Sequence, residues 1–382
     1  MSVREGSVRI PSGCAISGII NRKGNPFSGV DIIQSIALMH ERSNGLGGGF
    51  AAYGIYPEYR DHYALHIFFD DLQVQEKVEQ IIGHSFKIAL SEEIPVRKVK
   101  AIKGQPIIWR YFVTPKPEVL EDYNHNEDEF MARFVIKINH AVEGAFVASS
   151  GKNMGAFKAV GFPEDVGEFY RLDEYKGYLW TAHGRFPTNT PGWWGGAHPF
   201  TLVDWSVVHN GEISSYDANR RYLEMYGYRC PLQTDTEVIT YLFDLLIRKH
   251  GLSLEDAVSV VAAPFWEMIE QEDPEKRLRL QTLRTVYASA LLNGPFSIIL
   301  ASSNGMMALN DRIKLRSLVA AEKGDYLYVA SEEAAIRAVV SDLDRVWAPR
   351  GGEPVLGLLE GRKEILSKKS PTGEIGKDTL AS

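Results

Sequence analysis

Pro11-Ser12-Gly13-Cys14-Ala15-Ile16-Ser17-Gly18-Ile19-Ile20 sets a thiol at the head of a hydrophobic strand. The strand Cys14–Asn21 stops at Arg22-Lys23-Gly24-Asn25-Pro26. An arbitrary cysteine is more often a small buried hydrophobe than a nucleophile. It becomes reactive only when something lowers its pKa or takes its proton. Removal of a leader over residues 1–13 would give Cys14 a free α-amine beside its thiol. Such an amine, with an ordinary pKa of about 7.7–8.0, can serve as base through a water. Ser12-Gly13 is small and flexible, as a processing point requires.

Outward from this strand, Asp31–Glu41 carries Ile32, Ile33, Ile36, Ala37 and Met39 on a helical period. Ser43-Asn44-Gly45 and Gly47-Gly48-Gly49 then turn the chain into a strand over Phe50–Tyr56. Strand, helix, Gly-rich loop and strand open a layered α+β domain. The next segments read as strand Tyr63–Phe69, helix Leu72–His84, strands Phe86–Leu90 and Ile107–Val113, helix Glu127–Ala141 and strand Ala145–Ser149. That order predicts a ferredoxin-like subdomain inserted over 65–160. Tyr178–His183 and Ser206–His209 read as short strands. Thr234-x-x-Glu237 has the wording of a capping box before a helix over Val238–Lys249. Helices are expected over Leu254–Glu270 and Pro274–Ala290, and strands over Phe296–Ala301, Gly305–Leu309 and Tyr326–Ala330. Ser331 is expected to cap a helix Glu332–Val340.

The chain has 382 residues, 45% hydrophobic and 24% charged, enough for one large domain or two ordinary ones. Its net charge of −7 argues against nucleic acid or an anionic membrane as partner. No apolar run reaches the length of a membrane span. Cys14 and Cys230 make no disulfide framework, so a reduced, cytoplasmic location is expected. Residues 358–382 are polar and charged and read as a tail.

Several downstream residues suit amide chemistry. Arg185 follows a strand in His183-Gly184-Arg185-Phe186-Pro187-Thr188, where a guanidinium can hold a carboxylate bidentately and Thr188 can assist. Asn210-Gly211 after Val207-Val208 reads as a hairpin turn or as an oxyanion hole. Asp235 at a helix start reads as a cap or as the acceptor of an α-ammonium. Arg185 and Asp235 together would select a free α-amino acid. His183, His198 and His209 match no zinc spacing, so no metal site is assigned. Gly47–Gly49 is not followed by a phosphate-loop lysine, so a turn is expected there.

Taken together, the chain resembles the class II glutamine amidotransferases. The likeness rests on the cysteine opening a strand, Arg185-x-x-Thr188, Ala197-His198-Pro199, Val207-Val208-His209-Asn210-Gly211 and Thr234-Asp235-Thr236-Glu237. Gly294–Leu300, Leu309–Arg312, Leu318-Val319 and Val329–Glu333 extend it, so that it spans most of 14–60 and 175–357. The resemblance implies the four-layer αββα sandwich of N-terminal nucleophile hydrolases over 14–357. It implies Cys14 as nucleophile, Arg185 and Thr188 on the glutamine carboxylate, and Asp235 on the ammonium. Asn210 and Gly211 would form the oxyanion hole. Three features depart from the family: Ala15 follows the cysteine, Arg42-Ser43-Asn44-Gly45-Leu46-Gly47 replaces an Arg-Gly-x-Asp-Gly loop, and Asn189–Gly196 carries Trp193-Trp194 as a bulkier lid. No synthase motif is present. The resemblance therefore implies a glutaminase subunit passing ammonia to a partner, closest to the separate amidotransferase subunit of split glutamate synthases. Flavin and iron–sulfur groups would reside on that partner, with no cofactor in this chain. The alternatives are an amidase acting on another amide and a non-catalytic glutamine-binding regulatory subunit.

Overall fold

The computed structural model of the chain describes residues 13–186 and 192–362. β1 (Ala15–Asn21) is buried at every position, so it takes cover on both faces. Ile16 and Ile20 pack with Val208, Ile299 and Met306. Ala15 and Ile19, on the opposite side of the pleat, share a core with Ile32 and Ile36. Ser17 Oγ meets Ser35 Oγ at 2.7 Å on that same side. A second sheet thus lies on one face of β1 and a helix on the other. At Gly18 the layers approach so closely that a Cβ would stand 3.1 Å from both Ile299 Cδ1 and Met306 Sδ.

The large sheet runs β17 (Arg345–Trp347), β15 (Val319–Lys323), β16 (Tyr326–Ala330), β1, β10 (Leu179–Gly184), β3 (Gly48–Tyr53), β8 (Met154–Ala159). Every neighbouring pair is antiparallel. Helices Val30–Ala37, Pro163–Phe169 and Glu333–Arg337 pack against it. The facing sheet runs β11 (Phe200–Leu202), β12 (Trp205–Gly211), β13 (Phe296–Ser302), β14 (Gly305–Asn310), β18 (Val355–Leu358), again antiparallel. Ile299 and Ala301 of β13 turn toward the large sheet. Ile298 and Leu300 turn toward Val238 and Leu242 of the helix Asp235–Phe243. A small ribbon pairs β2 (Phe27–Ser28) with β9 (Lys176–Gly177). The fold is therefore mixed α/β with antiparallel sheets.

The side sheet runs β5 (Phe86–Glu93), β6 (Ile107–Pro115), β4 (Tyr63–Phe69), β7 (Ala145–Ser149), with all neighbours antiparallel. Leu65, Ile67 and Phe69 face helices Leu72–Ser85 and Glu127–Ala141 through Val78, Ile82, Phe134 and Ile138. Phe68, Phe112 and Phe146 lie on the other face, with Tyr56, Phe157 and Trp194. β8 falls inside the expected 65–160 insertion, yet it belongs to the large sheet, paired with β3.

Four local expectations need correction. The helix over Leu254–Glu270 is two helices, Leu254–Val261 and Trp266–Glu270, because Pro264 between them cannot donate to the ladder. The helix expected over Val238–Lys249 begins at Asp235, and after Phe243 it widens into a π turn over Asp244–Lys249. The capping box does not form: Thr234 makes no side-chain cap, and Glu237 Oε2 accepts instead from the Leu232 amide at 3.1 Å. Ser331 does not cap the following helix, which spans only Glu333–Arg337. Its Oγ accepts from the Ile16 amide at 3.1 Å.

Candidate active site

The antiparallel register of β1 and β10 places Ala15 opposite Gly184. Cys14 and Arg185, each one residue beyond that pair, therefore emerge at the same end of the large sheet. Cys14 Sγ accepts from the Phe186 amide at 3.3 Å, and Arg42 Nε donates to the Cys14 carbonyl at 3.1 Å. Arg42 also pairs with Glu332 at 2.8 Å. The loop after Arg42 binds the other half of the corner. Ser43 Oγ donates to the Arg185 carbonyl at 3.0 Å, and the Arg185 amide donates to Gly47 O at 2.9 Å. The Arg42–Gly47 loop is thus the brace joining the head of β1 to Arg185.

Arg185 is buried. Burial draws its pKa down, against the charges of Cys14 and Asp235 that support the cation. Burial pushes the Cys14 thiol up; the Phe186 amide and the charges of Arg185 and Arg316 oppose this, while Asp235 adds to it. The thiol therefore holds its proton near neutrality and needs a base to become a thiolate. Cys14 and Cys230 are both free.

Asp235 comes to the same corner from the facing sheet's helix. Its Oδ2 accepts from the Ile213 amide at 3.1 Å, just past the end of β12. Its Oδ1 accepts from Thr236 Oγ1 at 3.3 Å and lies 3.6 Å from His209 Nδ1. Burial raises the carboxyl pKa, but His209, the Ile213 amide and Thr236 bring it net below the ordinary range. Asp235 is thus an anion in a largely enclosed place, as capture of an ammonium requires.

Asn210 and Gly211 close β12 opposite Ser297 and Phe296. Asn210 is fully buried, and its Nδ2 lies 3.4 Å from Ser331 Oγ. Ser331 therefore links Asn210 to Ile16, two residues past the cysteine. Asn210 Oδ1 has no partner among the described residues. Gly211 has φ +153°, and a Cβ there would run into Pro295 O, so only glycine fits the turn off β12.

The three histidines near this corner are structural. His183 Nε2 bonds the His209 carbonyl at 3.0 Å, and the His183 and His198 rings stack at 3.8 Å. The His209 amide donates to His198 Nδ1 at 3.3 Å. Burial pulls His183 down to about 3, so it is neutral at physiological pH. Among the described residues no group of three His, Cys, Asp or Glu could hold a metal.

Thr188 lies outside the described residues, as do residues 1–12 of the leader. Of the tail over 358–382, residues 363–382 lie outside them too. Of the expected lid, residues 192–196 are described. Trp194 is buried against Phe68 and Phe169 and donates to Lys103 O at 3.2 Å. Trp193 sets its edge on Phe146. Both indoles therefore pack toward the side sheet. Sequence reading placed Arg42 in a loop and Ser331 at a helix cap, the commoner local explanations, and passed over Arg316, whose charge acts on the Cys14 thiol.

The family model for class II glutamine amidotransferases matches residues 63–346. A protein of Archaeoglobus fulgidus without an assigned function is 51% identical over 93% of this chain and 95% of its own. A protein of Methanothermobacter thermautotrophicus, provisionally named a glutamine amidotransferase, is 27% identical over 86% of this chain and 94% of its own. The glutamine phosphoribosylpyrophosphate amidotransferase from B. subtilis, solved with ADP and GMP, aligns with a TM-score of 0.45 and 14% identity. That alignment covers 90% of this chain and 47% of the other, so this chain spans about half the length of that enzyme.

Proposed function

The chain belongs to the class II glutamine amidotransferase family, and on that premise we propose that it is a glutaminase subunit working through a cysteinyl thioester. The observation that carries this reading is the meeting of Cys14, Arg185 and Asp235 at one corner, with both charges acting on the thiol. A free glutamine has a carboxylate for Arg185 and an α-ammonium for Asp235. Its side-chain amide then extends toward Cys14. Thr188 joins Arg185 on the carboxylate.

Removal of residues 1–13 frees the Cys14 α-amine, which takes the thiol proton through a water. Sγ attacks the side-chain carbonyl carbon, and the oxyanion falls to Asn210 Nδ2 and the Gly211 amide. The α-ammonium returns the proton to the departing nitrogen, ammonia leaves, and a thioester remains. Water attacks the thioester, releasing glutamate and restoring the thiol.

In this reading the stacked layers are the αββα sandwich of N-terminal nucleophile hydrolases over 14–357, and the side sheet with its two helices is an inserted ferredoxin-like unit. Ammonia passes to a partner synthase. A glutamate synthase bearing flavin and iron–sulfur groups is the proposed acceptor, with the inserted unit as docking surface. No described helix is long and apolar enough to cross a membrane; a reduced cytoplasm is proposed from the free thiols.

Cys14→Ser is the test. The mature parent should begin at Cys14 by N-terminal sequencing and release ammonia from glutamine, while the variant releases essentially none. A Cys14→Ser protein as active as the parent would sink the reading.

A further inference from the structure

Lys158 is a fully buried lysine that the proposed mechanism does not use. It lies on β8, in Phe157-Lys158-Ala159, one strand away from Gly49 of β3. Its Nζ donates to Gly195 O at 2.9 Å and to Pro199 O at 3.2 Å. The same ammonium sits 4.6 Å from the centre of the Phe146 ring and 4.8 Å from that of Phe200. Two carbonyls and two aromatic faces thus surround it, a setting that suits a cation. It is the ends of one short segment that it ties down: Gly196, Ala197 and His198 lie between its two carbonyl partners.

That segment touches the substrate corner directly. A Cβ on Gly47 would lie 3.0 Å from Arg185 Cδ and 3.3 Å from Ala197 Cβ, so Ala197 and the stem of Arg185 both pack against Gly47, whose carbonyl accepts from the Arg185 amide. His198 stacks on His183, two residues before Arg185 in β10, and accepts from the His209 amide, next to Asn210 in β12. The route from Lys158 to Arg185 is a run of packed contacts, with no link through the segment 187–191.

We propose that Lys158 is a positioning residue for glutamine, clamping residues 195–199 so that Ala197 and His198 fix the aim of Arg185. The proposal rests on the glutaminase reading and adds a residue that touches neither substrate nor nucleophile. Burial and the Arg185 charge pull the Lys158 pKa down to about 7, against the charge of Glu237. A cation held at such a disadvantage marks a group retained for its two carbonyls, since methionine would fill the same volume without the desolvation. The neutral amine still has N–H groups for both acceptors, so the clamp survives deprotonation.

Lys158→Met, expressed as the whole chain and matured as the parent is, is compared with the parent by amide hydrogen exchange and glutaminase kinetics. Residues 192–199 should exchange faster while β1 and β12 keep their protection. KM for glutamine should rise about tenfold with kcat within about twofold, because only the aim of a binding group is disturbed. If Lys158→Met does not fold, Lys158→Gln, which keeps a donor, should show the same pattern at smaller amplitude. Unchanged protection over 192–199 overturns the clamp. Lost protection with an unchanged KM overturns its role toward substrate. A parent protein inert toward glutamine overturns the glutaminase reading, and the exchange result then judges the clamp alone.

Discussion

The Cys14 corner and the side sheet are both built from antiparallel strands, but they bury opposite kinds of side chain. Between β4 and its two helices the interior is Leu65, Ile67, Phe69, Val78, Ile82 and Ile138. Around the corner the buried groups include Arg185, His183, His198, Asn210, Lys158 and Glu237. An apolar interior gains stability from area removed from water. A charged interior loses some of that gain to desolvation, and it is where proton affinities move furthest. The contrast separates what holds this molecule together from the corner proposed to bind glutamine, and substitutions on each side should break in different ways.

Among substitutions that leave Cys14 in place, the largest effect should come from Asp235→Asn. Asparagine keeps the shape and can still accept from the Ile213 amide, but it loses the charge that would meet an α-ammonium. Glutaminase kcat/KM should fall by roughly a thousandfold, as when one partner of an enclosed charge pair is removed. The thermal midpoint should move little. Steady-state kinetics beside a melting curve checks both; a variant with parental kcat/KM would take Asp235 out of the site.

Ile67→Ala should do the reverse. Ile67 is fully buried in β4, and truncation there should lower stability by about 3 kcal/mol through lost transfer energy and a cavity. KM for glutamine should stay at the parental value. Denaturant unfolding read beside kinetics tests the pair of outcomes. A raised KM would mean that the side sheet reaches the glutamine site, and the contrast between the regions would fail.

How much of this was legible before the fold follows the same division. β1 declares itself because a strand covered on both faces reads as a nearly continuous run of apolar and small residues, here broken only by Ser17 and the terminal Asn21. The helices Leu72–Ser85 and Glu127–Ala141 declare themselves by period, and each carries a working side-chain cap, Asp71 and Asn126. The corner is another matter. Cys14 and Arg185 meet through the register Ala15 opposite Gly184, a pairing of residues far apart in sequence that no local pattern encodes. Glu237 and Ser331 carried persuasive local wording, a capping box and a helix cap. Both side chains turn to partners set by the tertiary fold, the amides of Leu232 and Ile16. The break at Pro264 was written in the sequence, since proline interrupts a helical ladder wherever it falls. Lys158 was hidden for the opposite reason: a lysine in a strand ordinarily reads as a solvent-facing position.

The smallest effect concerns pH, and it sharpens the view of the charged interior. Burial raises the Glu237 pKa from 4.5 to about 8, against the Leu232 amide, Tyr241 and the charge of Lys158. A carboxyl with a folded pKa above its unfolded value stabilises fully below the unfolded value, and the stabilisation drains away as pH rises toward the folded one. Lys158 runs the other way: its folded pKa of about 7 lies below the unfolded 10.5, so its penalty is complete below pH 7 and fades only above it. From pH 5 to 7 the lysine term is therefore flat, and groups shared by parent and variant, such as His183 and Asp204, cancel in the difference, which leaves Glu237. Over that interval the parent should lose about 2 kcal/mol relative to Glu237→Gln, with a limiting slope of about 1.4 kcal/mol per pH unit. Urea unfolding of both proteins at pH 5, 6 and 7 measures the difference. A parent-minus-variant difference that stays constant across those points would show Glu237 ionised in the fold and strip the charged wall of its proton.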